Sequence, residues 1–231
     1  MKMRFLLDAA MVLNVAALLQ SAIEVSTATA QTAALSPPSN SLHRGDNVAA
    51  TNNSLAQRVV LYEEGPGDPQ GKRATGSVVW STETKSSDPE NTSELVVRGD
   101  IDIPERKMEM TWRLRRSMGL PTSHTIEFLF KVPQDFTGGD ISIVPGIWMK
   151  PTERIQGTAL AGLAVKVTPG YFLIGLSAAQ ADKERNIRLL KDRPWIDIPI
   201  VYSNKLRAIL SLEKGTPGEQ AFQQVFATWK E

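Results

Sequence analysis

The sequence contains no cysteine, which excludes several kinds of site at once. Without thiols the chain has no disulfide, no thiolate metal ligand and no cysteine nucleophile. An excess of one charge is also missing, since 26 Lys and Arg residues stand against 25 Asp and Glu residues. So balanced a chain has no overall field that attracts nucleic acid. We therefore expect no nucleic-acid partner, and no motif in the chain indicates a cofactor.

Long hydrophobic runs are absent as well. The longest uncharged run within residues 1–30, Ala9 to Ile23, has 15 residues, fewer than the ~20 that a membrane-spanning helix needs. It follows Lys2 and Arg4 and precedes Ala28-Thr29-Ala30, a small-x-small pattern that signal peptidases recognise. The pattern predicts a signal peptide over residues 1–30, cleaved after Ala30. The mature protein would then be periplasmic or part of the cell envelope.

Two polar residues, Asp8 and Asn14, interrupt this leader and leave alternatives open. One is an uncleaved N-terminal anchor, in which case the partner would include a membrane, and the other is an amphipathic cytosolic helix. Residues 31–56 contain no aromatic residue and many Ser, Asn, Ala and Pro. They hold too little apolar area to offset the entropy of ordering, so we expect a flexible linker. A single globular domain is then expected over residues 57–231.

From Gln57 onward, short runs rich in Val, Ile, Trp and Phe alternate with Gly and Pro, which is typical of strands and turns. The pattern predicts a mainly β (α+β) fold, an antiparallel β-sandwich or roll of about ten strands with two helices near the C-terminus. The expected strands span residues 57–63, 75–84, 94–103, 107–116, 123–132, 141–149, 159–168, 171–177, 195–202 and 206–213.

The two expected helices both show start signals. Ser177 and Gln180 are spaced as a capping box for a helix that runs to about Lys191, and Thr216-Pro217-Gly218-Glu219 repeats the device. The second helix has an apolar stripe at i, i+3, i+4 and i+7, which predicts that it packs on the core. This stripe consists of Phe222, Val225, Phe226 and Trp229.

Only three residues separate strands 94–103 and 107–116, so the two strands should form a hairpin. Alternation puts Trp112 on the buried face of the second strand. We favour the register that sets Trp112 opposite Gly99, because an aromatic ring covers the bare backbone of a glycine. Registers with Val97 or Ile101 opposite Trp112 are the alternatives. The favoured register also sets Arg98 directly opposite Arg113. Only the carboxylate of Asp100, which is diagonal to Arg113, would then offset the repulsion between the two arginines.

The stretch "EEGPGDPQGKR", residues 63–73, is the segment most like a phosphate-binding loop. In the G-x-x-x-x-G-K-[ST] motif, backbone N–H groups surround phosphate and a hydroxyl binds magnesium. Here Pro66 occupies the first glycine position and Arg73 the hydroxyl position. We therefore expect a hairpin turn without a nucleotide site.

Few residues remain for catalysis. His124 and Glu127 form H-x-x-E, but odd spacing on a strand directs their side chains to opposite faces, so His124 is expected to be structural. Asp100 and Asp102 share a face, where nearby arginines favour an ion-pair network over a catalytic pair. No catalytic residue or metal ligand is assigned. The speculative binding residues are the charged ones on this solvated face, Arg98, Asp100, Arg113 and Arg115.

The segments "RKMEMTWRLRR", "SHTIEFLFKVP", "FLIGLSA" and "WIDIPIVY" give residues 57–229 a family resemblance. This part of the chain resembles a group of uncharacterised alphaproteobacterial proteins that join an N-terminal membrane or signal segment to one domain. The resemblance implies that organisation and no activity. In layout alone the chain is also similar to the invasion-associated protein B family of periplasmic β-rich proteins, whose members commonly carry the cysteines that are missing here.

Two hypotheses on function follow from the sequence. The first is a non-catalytic exported envelope module that binds a protein or an envelope component through a sheet face or edge. The second is a carboxylate-dependent hydrolase that uses Asp100, Asp102 or Glu127. A deep pocket that gathers two of these carboxylates, one with a raised pKa, would favour the hydrolase, whereas scattered charges on a convex face would favour the module.

Overall fold

The computed structural model describes residues 55–65, 68–86, 93–117 and 121–231. Residues 1–54, with the predicted leader and nearly all of the predicted linker, lie outside these described residues. Within them, neither helix is long and apolar enough to cross a membrane.

The described residues form twelve strands and two α-helices. The helices are α1 Gln180–Asp192 and α2 Gly215–Trp229, and a 3-10 turn at Pro104–Arg106 joins the third and fourth strands. The strands are β1 Gln57–Gly65, β2 Asp68–Ser86, β3 Ser93–Ile103, β4 Met108–Arg116, β5 Thr122–Lys131, β6 Ile141–Ile143, β7 Trp148–Lys150, β8 Thr158–Ala159, β9 Gly162–Thr168, β10 Tyr171–Ser177, β11 Trp195–Tyr202 and β12 Arg207–Glu213.

All strands belong to one antiparallel sheet with the order β8-β7-β11-β12-β1-β2-β3-β4-β5-β10-β9, and β6 also pairs with β11. The end strands, β8 and β9, are separated in the chain only by Leu160 and Ala161. The two ends of the sheet must therefore come close together, so the sheet curls around one core. This arrangement confirms the prediction of a mainly antiparallel β fold with two helices.

The inner face of the sheet carries the core, and α2 packs on it. The predicted stripe of α2 is buried along its whole length, and Phe222 contacts two indole rings of the sheet. Its ring centroid lies 5.7 Å from that of Trp80 on β2 and 5.3 Å from that of Trp112 on β4. Burying such a stripe against strands is how a helix of this composition is stabilised.

The register of β3 and β4 confirms the favoured pairing, because Trp112 lies directly opposite Gly99. The ring closest to the glycine is nevertheless Trp80, which faces Gly99 from β2. A Cβ atom on Gly99 would lie 2.7 Å from Cζ3 of Trp80. Trp80 and Trp112 meet edge to face with ring centroids 5.2 Å apart, so glycine is the residue that leaves room for both.

The hairpin expected at residues 63–73 is also present, and its pairing extends as far as Gly65 opposite Asp68. Residues 66 and 67 lie outside the described residues. Two expected strands are each divided in two: residues 141–149 form β6 and β7, and residues 159–168 form β8 and β9. Pro145 lies between β6 and β7, where it cannot donate a ladder hydrogen bond.

Both predicted capping boxes are wrong. The residue before α1 is Ala179, and the Ser177 hydroxyl accepts a hydrogen bond from the backbone N–H of Ala179 instead of capping the helix. Helix α2 begins at Gly215, before the predicted Thr216 cap, and neither helix has a side-chain N-cap. The hairpin β11–β12 forms as expected, with Lys205 in a left-handed conformation at its turn (φ 73°).

Candidate functional site

A cleft of about 440 Å³ opens on the outer face of the sheet, where β11, β12 and β1 lie side by side. Glu153 of loop 151–157, between β7 and β8, contacts Arg58 and Tyr62 on this face. Val60, which lies between these two residues on β1 and points away from the core, is fully buried. We call this site the outer cleft. Its lining consists of Tyr62, Trp148, Lys150, Glu153, Arg154, Ile155, Gln156, Gly157, Asp197, Pro199, Ile209 and Ser211.

A buried polar group lies at the base of the outer cleft. Lys150, 4% exposed, directs its Nζ to Asp197 Oδ1 at 2.7 Å. The Ser211 hydroxyl donates to the same oxygen at 2.6 Å, because Asp197 and Ser211 are directly opposite each other on β11 and β12. Lys150 Nζ also donates to the backbone carbonyl of Glu153 at 2.5 Å. The buried ammonium is thus paired, as burial of a charge requires.

A second polar group forms one wall. The Tyr62 hydroxyl donates to Glu153 Oε1 at 2.6 Å, and Arg58 donates to Glu153 Oε2. These two contacts, the Tyr62 hydrogen bond first, hold the pKa of Glu153 below its usual range. Burial, followed by the hydrogen bond to Glu153, raises the pKa of Tyr62. Glu153 is therefore an ionised acceptor with its donors in place.

Part of the remaining lining is apolar and accessible. Ile155 is 53% exposed and Ile209 39% exposed, beside Pro199 and Trp148. Arg154 lines the same cleft and has no ion-pair partner among the described residues. A concave site with exposed aliphatic walls and a few fixed polar groups is typical of ligand binding. The unpaired guanidinium adds a positive charge at this site.

The four residues predicted from sequence as a binding surface lie elsewhere, on the outer face of β3 and β4. Arg98 binds both carboxylate oxygens of Asp100, each at 2.7 Å. Glu83 of β2 accepts from Arg98 at 2.9 Å and from Arg113 at 2.6 Å. Although burial raises the pKa of Asp100, the hydrogen bonds from Arg98 hold it below its ordinary value.

The expectation of an ion-pair network is confirmed for Asp100 but not for Asp102, which has no ion pair among the described residues. The composition of the network also differs from the prediction. Glu83 is the carboxylate that offsets the repulsion between Arg98 and Arg113, because it pairs with both. Asp100 pairs with Arg98 instead of making the predicted diagonal contact with Arg113. The fourth predicted residue, Arg115, pairs with Glu127 at 3.0 Å. The four residues thus share one face, each in an ion pair, and their binding role stays a prediction.

His124 is structural in its contacts and more deeply buried than expected. Its Nε2 lies 2.8 Å from Glu231 Oε2, and its ring packs against Phe226 and Trp229 of α2. Burial lowers the pKa of His124, so the ring is held neutral. Glu127 is on the opposite face of β5, where it contacts Arg115, as the odd spacing predicted.

Within the described residues, no group of three or more His, Asp or Glu side chains could hold a metal ion. Comparison with known proteins found no matching family model, no matching curated protein and no matching solved structure. The geometry of the chain itself is therefore the basis for assigning a function.

Sequence reasoning missed the outer cleft. The one local signal is Asp197, an acid within the apolar strand "WIDIPIVY", where an isolated charge needs a partner. That partner, Lys150, comes from a strand 47 positions earlier (197 − 150) and could not be identified from spacing.

Proposed function

We propose that this chain is a non-catalytic exported module that binds an envelope component in the outer cleft. Export is supported by the leader pattern of residues 1–30. Binding is supported by one observation above the others: the cleft has exposed aliphatic walls, while its carboxylates, Glu153 and Asp197, are already held by donors.

The chemistry of the cleft favours an amphipathic anion as the ligand. An apolar body would contact Ile155, Ile209 and Pro199, which are the accessible walls. An anionic group would pair with Arg154, the lining cation that has no carboxylate partner among the described residues. Carboxylate and phosphate groups are the anions that a guanidinium binds in bidentate geometry. The ligand class is therefore an alkyl or aryl chain with a carboxylate or phosphate head.

The hydrolase alternative has less support. It requires a carboxylate of raised pKa in a pocket, as a general acid does. Asp100, Asp102 and Glu127 are on β3 and β5, away from the outer cleft, and Asp100 has a lowered pKa. Inside the cleft, the pKa of Glu153 is lowered too.

Capture from envelope extract tests the binding function. We expect the exported protein to retain a component that Ile209→Asp loses, because the substitution puts a charge on the apolar wall. Ile143→Asp is the matched control, since Ile143 is 52% exposed on β6 and does not line the cleft. Equal capture by all three proteins would exclude the outer cleft as the binding site.

The ligand class is tested separately by titrating the protein with decanoate and with decyltrimethylammonium, which share an apolar chain and differ in charge. We expect decanoate to bind more tightly and Arg154→Glu to weaken its binding by about tenfold, the loss of one charge-assisted contact. Equal affinity for decanoate and decyltrimethylammonium would contradict an anionic ligand and would indicate that the cleft binds the apolar chain alone.

A further inference from the structure

We propose that β9 pairs with β9 of a second copy of this chain, which makes the protein a symmetric dimer. The starting observation is the place of β9 at one end of the sheet, where it pairs with β10 and with no other strand of the described residues. The other edge of β9 presents backbone N–H and C=O groups that another strand can bind.

Apart from a bulge at Val167, β9 has few of the features that usually protect an edge strand. The strand, "GLAVKVT", contains no proline and only one charge, Lys166. That charge is paired within the protein, because Lys166 Nζ donates to Asp140 Oδ2 at 3.0 Å and to the carbonyl of Ile141 at 2.6 Å. Charged edge residues normally prevent pairing between copies. In β9 the charge is already neutralised within the protein.

Two of the exposed side chains of β9 are large and apolar. Leu163 is 66% exposed and Val165 is 36% exposed, and the two point to the same face of the strand. The patch continues onto β10, where Leu173 lies opposite Val165. It then reaches β5, where Leu129, 38% exposed, lies opposite Tyr171. Exposed apolar residues of this kind at a sheet edge indicate an interaction surface, although Glu127 lies directly opposite Leu173 on β5.

The sequence of β9 is complementary to itself. Its register with β10 is regular from Gly162 to Lys166, and the centre of that stretch is Ala164. Antiparallel pairing about a two-fold axis at Ala164 sets Leu163 of each copy opposite Val165 of the other. The same register sets Gly162 opposite Lys166, so no like charges face each other. Each copy contributes the same patch, as a two-fold interface requires.

Neighbouring registers are less favourable. Pairing about Lys166 would set the two lysines directly opposite each other, which is destabilising. Pairing about Val165 would include Val167, where the register between β9 and β10 shifts. A second copy also fits better than a charged peptide, since the only charge of β9 is already paired with Asp140. The register about Ala164 is therefore the specific form of the proposal.

Cysteine cross-linking tests this register, because the natural chain has no cysteine to give a background. In antiparallel pairs, directly opposite Cα atoms lie about 4.5–5.5 Å apart, which a disulfide can span. We expect Ala164→Cys to form a covalent dimer under mild oxidation. Lys131→Cys, an exposed position on β5, is the control and should form little covalent dimer.

Sedimentation of the full chain tests the dimer without any cross-link. The natural protein should have twice the mass of one chain, and Val165→Lys should reduce it to one chain, because the new charge would face the apolar Leu163 of the second copy. Thermal melting shows whether this variant is folded. A natural protein that is monomeric at its highest soluble concentration would overturn the proposal, even if it binds another protein's extended segment. A dimer that Val165→Lys does not weaken and that Ala164→Cys does not cross-link would also overturn the proposal.

Discussion

Replacement of Trp112 by alanine tests the face assignment on which the core rests. Trp112 is completely buried and contacts Trp80 and Phe222 with ring centroids 5.2 and 5.3 Å away. Truncating a buried tryptophan costs about 3–5 kcal/mol, since contacts are lost and a cavity remains. We therefore expect a large decrease in the free energy of unfolding.

The unpaired indole N–H refines this magnitude. Trp112 Nε1 is buried and has no hydrogen-bond partner among the described residues. A buried donor without a partner costs about 1–3 kcal/mol, and removing it returns part of that cost. The loss for Trp112→Ala should thus lie near the lower end of its range, about 3 kcal/mol. Trp112→Phe keeps most of the ring contact and removes the N–H, so its loss should be below about 1.5 kcal/mol.

The matched control on the other face of β4 is Arg113→Ala. Arg113 is one-quarter exposed, and it pairs with Glu83 beside the like charge of Arg98. A partly exposed pair of this kind contributes less than about 1 kcal/mol. Urea denaturation followed by far-ultraviolet circular dichroism measures all three variants. A harmless Trp112→Ala together with a severe Arg113→Ala would refute the assignment of faces.

Further predictions follow from other residues. Gly99→Ala should lower the free energy of unfolding by about 1–3 kcal/mol in urea, because its Cβ would lie 2.7 Å from a tryptophan ring; an unchanged midpoint would contradict the stacking. The free energy of unfolding should decrease as the pH drops below about 6.5, because His124 is protonated more readily in the unfolded chain than in the folded protein. His124→Gln should make this decrease smaller, which melts at several pH values would measure. Burial lowers the pKa of Lys214 to about 8, so stability should rise between about pH 8 and 10.5 and the rise should be absent in Lys214→Met. Mass analysis of envelope protein should find Gln31 as its first residue, and an intact leader in the membrane fraction would favour the anchor.

The strands and their faces could be predicted because the information is local. In β4 the alternation of apolar and charged residues fixes which side chains face the core, and the short connection to β3 limits the register to a few choices. The bare glycine then selected one of them, Trp112 opposite Gly99. The same reasoning did not find Trp80 above the glycine, because nothing in the hairpin determines how the next strand, β2, is aligned.

The outer cleft could not be predicted because it depends on contacts between distant parts of the chain. Tyr62 and Glu153, which form one wall of the cleft, are 91 positions apart. The alternation of residues in β1 assigns each side chain to a face, but it does not indicate which part of the solvated face another segment of the chain covers. Val60 shows the consequence, since it has the parity of a solvated residue and is fully buried, while its neighbours on that face, Arg58 and Tyr62, both contact Glu153 of loop 151–157. Periodicity assigns a face, whereas a loop that packs over the face decides its exposure.

The Lys150–Asp197 pair explains how this loop is held. A buried ion pair is a weak source of stability, because desolvation offsets most of its attraction. Lys150, however, also donates to the backbone carbonyl of Glu153, whose carboxylate in turn accepts from Tyr62. The Lys150 ammonium therefore connects β11 to loop 151–157 at Glu153, which is the loop residue that contacts β1. The shape of the outer cleft depends on this geometry more than on the net energy of the pair, so the charged residues beneath the apolar walls are structural elements of the site.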